Sequence, residues 1–341
     1  MSAAKNKDFS SIPLSVLDLA TIREGHTAAD AFRNSLKLAQ GTEKAGYKRY
    51  WFAEHHNMES VASSSPGILI GYIAGGTSSI RVGSGGIMLP NHAPLIIAEQ
   101  FGTLASLYPN RIDLGLGRAP GTDQVTAMAL RRNRMESVHD FPQDVLQLQT
   151  LFSAENRTAR VRAIPGEGLE VPIWILGSST DSARLAASLG LPYAFASHFA
   201  PTYLHHALQL YREGFLPSES LQAPHTMACV NVIVADTDAK AQKLATSFYN
   251  LALGLIRNNR KPLQAPVDSM EGLWTDYEKA AVQQMMAYSF VGSPETVKES
   301  LEDFLAQTGV DELMVAAHIY DPAAKLRSYE LLAGLQKSGD Y

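Results

Sequence analysis

The stretch "VPIWILGSSTDSARLAASLGLPYAFAS" (Val171–Ser197) holds one whole repeat of the fold. Val171–Gly177 is an apolar run without polar alternation, which predicts a strand buried on both faces. Ser179–Gly190 carries alanine and leucine at helical spacing and closes on glycine, a common helix stop. Leu191–Ser197 is a second apolar run. Strand, helix and strand in immediate succession predict a parallel β-α-β unit.

The same period extends in both directions. Strands are predicted at Ile12–Leu19, Lys48–Glu54, Ile80–Pro90 and Arg111–Gly117 before this unit, and at Thr226–Ala235 and Asp311–Tyr320 after it. Helices are predicted between them, among them Ala28–Tyr47, Pro66–Thr77, Pro94–Pro109, Val138–Ser153, Pro201–Phe215, Thr237–Ile256 and, last, Pro322–Lys337. Eight strands, each followed by helix, predict an α/β fold of the (β/α)8 TIM-barrel type. A doubly wound sheet is the alternative. Arg257–Ala281 is rich in proline and polar residues and interrupts the last repeat. It predicts an insertion near residues 257–288 at one barrel end, either a mobile lid or a plain surface excursion. The chain is read as one domain, 1–341, with residues 1–10 as a loose tail.

Composition narrows the function. The 341 residues are 45% hydrophobic and 18% charged, with a net charge of −5. That is ordinary globular composition, without the basic field a nucleic acid would need. The one cysteine, Cys229, excludes an internal disulfide and cysteine-based metal clusters. The polar N-terminus lacks the apolar core of a signal peptide, and apolar runs fall short of a membrane span. A cytoplasmic protein with no membrane partner is expected.

Active sites of such barrels lie beyond the C-terminal ends of the strands. There stand Leu17 and Asp18; Glu54, His55 and His56; Gly85 and Gly86; Gly117 and Arg118; Gly177, Ser178 and Ser179; Ser197 and His198; and His318. The "EHH" of Glu54–His56 invites a metal reading. Neighbouring strand residues point to opposite faces, so His55 and His56 do not readily share one ion, and no metal is expected. Glycines at Gly85 and Gly86 suit close approach of a flat ligand to the backbone. After Gly177, Ser178, Ser179, Thr180 and Ser182 surround a helix start, where free N–H groups and hydroxyls attract an anion. Arg118 can add a guanidinium fork, and Asp181 would oppose an anion unless it faces away.

Together "WFAEHHN", "VGSGGIMLPNHAPLIIAEQFGTLASLYPNRIDLGLGRAPG", "WILGSSTDSARLAASLGLPYAFASHF" and the C-terminal "VGSPE" resemble the bacterial luciferase-like flavin monooxygenases over almost the whole chain, most of all their YhbW-type subgroup. The resemblance implies a TIM barrel that uses reduced FMN as co-substrate, or the deazaflavin F420 in a sister branch. It implies a flavin phosphate held by Arg118, Ser178, Ser179 and Ser182 beside Gly177, and a cis peptide at Gly85–Gly86 under the flavin ring. It places catalytic proton transfer on His55, with Glu54 orienting the flavin or the histidine. Leu17, Met88 and His198 would shape the substrate pocket. A separate NAD(P)H flavin reductase and a homodimer through Pro66–Thr77 and Pro94–Leu107 are also implied. Gly117 stands where luciferase has cysteine and His198 where it has tryptophan, which argues against a long-chain aldehyde substrate and light emission. Rival readings are an F420-dependent oxidoreductase and a flavin-binding homologue without catalysis. Few basic residues near Ser178–Ser182 favour FMN over the acidic tail of F420.

Overall fold

A computed structural model describes residues 8–131 and 139–337. Among them run the strands β1 (Leu14–Asp18), β2 (Arg49–Phe52), β3 (Arg81–Met88), β4 (Ile112–Gly117), β5 (Ile173–Gly177), β6 (Tyr193–Phe195), β7 (Thr226–Val234), β8 (Ser289–Gly292) and β9 (Glu312–Ala316). The helices are α1 (Ala28–Ala45), α2 (Pro66–Gly75), α3 (Pro94–Leu107), α4 (Gln124–Arg131), α5 (Phe141–Phe152), α6 (Thr180–Ser188), α7 (Leu204–Gly214), α8 (Asp238–Ile256), α9 (Asp276–Met285), α10 (Pro294–Thr308) and α11 (Pro322–Lys337). The predicted helix over Val138–Ser153 is α5; Val138 itself lies outside the described residues, as do residues 1–7 of the expected tail. Phe9, inside that tail, is fully buried.

Strands β1 to β7 pair in order, β7 pairs β9, and β9 returns to β1, all parallel, which closes an eight-stranded TIM barrel. The strands are apolar because helices cover them outside and side chains fill the barrel inside. Inward-facing Leu17, Trp51, Trp174, Met227, Cys229 and Met314 form that inner core.

The eighth repeat departs from the sequence expectation. β7 is nine residues long and serves two partners: its first half, Met227–Asn231, pairs with β9, and its second half, Asn231–Val234, pairs with the extra strand β8. At four residues inside a polar region, β8 leaves no periodic signal. The insertion is also more regular than its composition suggests. It contains α9, opened by a capping box between Thr275 and Glu278. It is tied down at three places. Arg257 grips Glu278 with two hydrogen bonds of 2.7 and 2.9 Å, Leu263 forms a bridge beside Arg23, and the Val267 N–H donates to Thr246 Oγ1 at 2.9 Å. No described helix is long and apolar enough to cross a membrane.

The N-terminal end of the barrel is plugged by buried charge. Arg49 donates to Asp113 at 2.7 Å and to Glu312 at 2.9 Å, and it lies over the Trp174 ring at 4.9 Å. Trp51 Nε1 donates to Asp113 and Ser15 Oγ donates to Glu312. Burial raises the Glu312 pKa, but His225, Arg49 and Lys48 outweigh it and hold the carboxyl at about 2.

Candidate functional site

Glu54 stands two residues beyond the end of β2 and is fully buried. Its carboxylate accepts from His56 Nε2 at 2.8 Å, from His92 Nε2 at 2.9 Å and from the Met88 N–H at 2.9 Å. Burial alone would raise its pKa; the hydrogen bonds from His56 and His92 prevail and bring it to about 2. Both oxygens are thus engaged in tying the end of β2 to the end of β3. The residue placed in the chemistry by the sequence reading bonds to His56 and His92, while His55 turns elsewhere. β2 ends at Phe52, so strand alternation does not itself separate the two histidines; the Glu54 contact captures His56. Among the described residues, no three His, Cys, Asp or Glu side chains converge as a metal site would need.

His55 Nδ1 lies 3.2 Å from the Gly121 carbonyl. A carbonyl only accepts, so the proton belongs on Nδ1 and Nε2 keeps its lone pair. Burial lowers the His55 pKa; the Gly121 bond and Glu54 oppose this, and His56 and Arg260 reinforce it. His55 is therefore a neutral proton acceptor near neutral pH. It lines a cleft of about 890 Å³ between the loop after β2 and residues 258–261 of the insertion. That volume is within the range of small-molecule sites.

Two further histidines stand at the barrel mouth. His198, after β6, is pushed down to about 3 by burial, then by His318 and His55. His318, after β9, is pushed down to about 4 by burial and Lys325, and it stacks on Phe248 at 4.7 Å. His198 Nδ1, His318 Nδ1 and Asn231 Oδ1 are buried and make no hydrogen bond among the described residues. Asn231 uses its other end to donate to the His198 carbonyl at 2.7 Å. Sequence reasoning noted His318 only as a strand-end residue and missed Asn231. Asn231 sits inside β7, where its pattern is that of a buried strand residue.

The glycines of β3 behave as the sequence suggests. The Gly85–Gly86 peptide is cis, and pairing with β4 shifts register across these two residues. A Cβ on Gly86 would lie 2.7 Å from the Gly115 carbonyl oxygen, and one on Gly85 would lie 2.8 Å from Leu17 Cδ1. At Gly86 a larger residue meets the backbone of β4, and at Gly85 it meets the side chains of Leu17 and Trp51. Gly85, Leu17, His198 and Cys229 line an inner cavity of about 30 Å³. It admits water but no ring system, so a flat ligand has to lie above this floor. Met88 crosses Gly117, with its thioether under 3 Å from where a Cβ would be.

The anion-binding candidates come together after β4 and β5. Ser179 is the N-cap of α6, yet its side chain makes no capping bond. Ser178 and Ser179 hydroxyls have no hydrogen bond among the described residues, and the first-turn N–H groups remain open. Arg118 reaches the same place but pairs with Asp181 at 3.3 Å. Ser182 is differently employed: its hydroxyl donates to the Ser179 carbonyl at 2.8 Å and meets Tyr193 OH at 3.1 Å. Gly177 is required beneath it, because a Cβ there would collide with the Ser182 side chain. An open helix N-terminus, two free hydroxyls and a guanidinium fit a phosphate, provided Asp181 swings off Arg118.

Residues 12–312 match the family described as luciferase-like monooxygenase. A luciferase-like monooxygenase of Escherichia coli (strain K12) is 51% identical, covering 94% of this chain and 96% of its own. The N-acetyl-S-alkylcysteine monooxygenase of Bacillus subtilis (strain 168) is 33% identical, covering 94% and 97%. Among solved structures, apo-MsnO8 superposes with a TM-score of 0.86 at 34% identity over 96% of this chain and 98% of its own. At 21% identity the FMN-bound oxygenating constituent of 3,6-diketocamphane monooxygenase from Pseudomonas putida shares the fold, with a TM-score of 0.72 over 96% and 98%. So does an F420-dependent secondary alcohol dehydrogenase at 14%, with a TM-score of 0.70 over 95% and 98%.

Proposed function

The chain belongs to the luciferase-like monooxygenase family, and we propose that it is the oxygenase of a two-component system, taking reduced FMN from a separate NAD(P)H flavin reductase and oxidising a small organic substrate. Reduced FMN, when bound, supplies the electrons that activate O2. Ser178, Ser179 and Arg118 would hold its phosphate. Gly85 and Gly86 would let its ring approach the backbone, and Leu17, Met88 and His198 would border the substrate. His55 Nε2 would accept and return the proton at the reacting centre. Glu54 keeps the ends of β2 and β3 together, next to His55 in sequence and to the strand that carries the glycines.

The observation that carries this reading is His55, neutral, with its proton on Nδ1 and a free Nε2, lining the large cleft at the barrel mouth. The relative at 33% identity is named for N-acetyl-S-alkylcysteine, a small organic molecule in keeping with a cleft of this volume. FMN is favoured over F420 because the relatives named as monooxygenases are far more similar than the F420-dependent structure, which shares only the fold. The apolar side chains of Ile68, Tyr72, Ile96 and Leu107 are exposed on α2 and α3, which supports a homodimer through these helices.

The test is titration with FMN, reduced FMN and F420, followed by oxygen uptake with reduced FMN and candidate substrates. Preferential binding of reduced FMN is expected. Preference for F420 with hydride transfer and no oxygen use would overturn the reading, and no binding of any of the three would leave a homologue without catalysis.

A further inference from the structure

Resting on the monooxygenase reading, we propose that Arg260 is the anchor for a carboxylate on the organic substrate, so that the enzyme takes small organic acids with an uncharged end at His55. Arg260 lines the same cleft as His55, from the insertion, and is partly buried. Its guanidinium has no hydrogen bond or ion pair among the described residues. Three other guanidinium groups are engaged by carboxylates: Arg49 with Asp113, Arg118 with Asp181 and Arg257 with Glu278. A partly buried guanidinium without a counter-charge loses hydration and gains nothing within the fold; a planar carboxylate would satisfy two of its donors at once.

The backbone holds Arg260 in place. On one side the Asn259 N–H donates to the Gly254 carbonyl at 2.7 Å, closing the end of α8. On the other, Leu263 is buried and bonded on both sides to Ile22 and Glu24, each at 2.9 Å. An anion held between such fixed points would lose little to chain ordering. No acidic group of the cleft pairs with the guanidinium among the described residues. Asp123 accepts from Thr126 and Asn57, and Glu59 makes no ion pair with Arg260. Lys261 adds a second positive charge at the rim.

The cofactor phosphate has its own cradle at α6, three strands around the barrel from β2, so Arg260 is not needed for it. His55, which shares the cleft with Arg260, is uncharged near neutral pH. The substrate is accordingly amphipathic, with its anion at the rim and a neutral, oxidisable end within.

The test uses the flavin-free protein and calorimetric binding of three acids: hexanoate, 3-phenylpropionate and N-acetylmethionine, each against its amide. At least one acid is expected to bind about tenfold or more tightly than its amide, the worth of one charge-assisted bidentate pair. Arg260→Gln should remove that preference, Arg260→Lys should restore part of it, and both should keep the wild-type Tm. FMN affinity should change less than about twofold, well under the loss expected for a charge-assisted contact. The proposal is overturned if acids and amides bind alike, if none of the acids binds, or if Arg260→Gln weakens FMN as much as the acids. Failure here with intact reduced-FMN binding would leave the monooxygenase reading standing.

Discussion

The two ends of the barrel bury polar groups to similar depth and treat them in opposite ways. At the N-terminal end Arg49, Asp113 and Glu312 are buried, and each charge meets a counter-charge at hydrogen-bond distance. At the C-terminal end His198, His318 and Asn231 each keep a buried polar atom with no partner among the described residues. Burial without a partner is costly, and full pairing is rigid. The barrel therefore pairs its buried charges at one end and leaves neutral buried groups unpaired at the other. Glu54 crosses this division: it stands at the C-terminal end but is bonded like a residue of the other, with His56, His92 and Met88 around its carboxylate.

The contrast is sharpest for the reaction itself. His55→Ala should lower oxygenation by about 10²- to 10⁴-fold, the usual worth of a positioned acid–base group, while FMN binding and Tm persist. Stopped-flow oxidation of substrate checks this, and unchanged turnover would remove His55 from the chemistry. Next in size, Glu312→Ala should cost about 3–5 kcal/mol in urea unfolding, because Arg49 is left buried with half its partners. Specific activity of the folded fraction should survive; a variant that is fully stable but inactive would reverse the roles assigned to the two ends. Glu54→Gln should cost about 1–3 kcal/mol, as the hydrogen bonds to His56 and His92 weaken. If it abolished turnover with no loss of stability, Glu54 would belong to the chemistry after all.

Acid sensitivity should separate the ends as well. His198 and His318 have folded pKa values of about 3 and 4, below the ordinary 6.5. The unfolded chain thus takes up protons first, and their contribution is complete above about pH 6.5 and declines as the pH falls toward 4 and 3. Glu312, held at about 2, keeps its contribution above its ordinary 4.5 and loses it only below that. A Tm profile should therefore begin to fall below pH 6.5, and His198→Phe should flatten that first decline. The smallest effect is expected at Gly117→Cys. The new side chain meets only the flexible end of Met88, so stability should move by less than about 1 kcal/mol in thermal melts.

Much of this was legible in the chain. The eight barrel strands are continuous apolar runs, the proline-opened helices α2 and α3 start where predicted, and α11 spans the predicted Pro322–Lys337. The Gly85–Gly86 cis peptide was expected from resemblance. What escaped has physical causes. β8 is too short to show a period, and it exists because β7 outruns its partner β9. Ser182 was grouped with the anion-binding serines, yet its hydroxyl is committed to Ser179 and Tyr193, a contact between separate elements. Asn231 looks like any polar residue in a strand until its unpaired oxygen is located.

Periodicity, turn residues and helix caps are local properties, and by themselves they determined an alternating β/α chain, its strand ends and the set of residues gathered there, while closure into a barrel rather than a doubly wound sheet lies in the pairing of β9 with β1. Which of those residues are partnered is a matter of contacts between distant strands. Only the tertiary structure decided that Glu54 is tied to His56 and His92, and that His55 and Arg260 line one cleft, His55 Nε2 without a hydrogen bond and Arg260 without a counter-charge among the described residues.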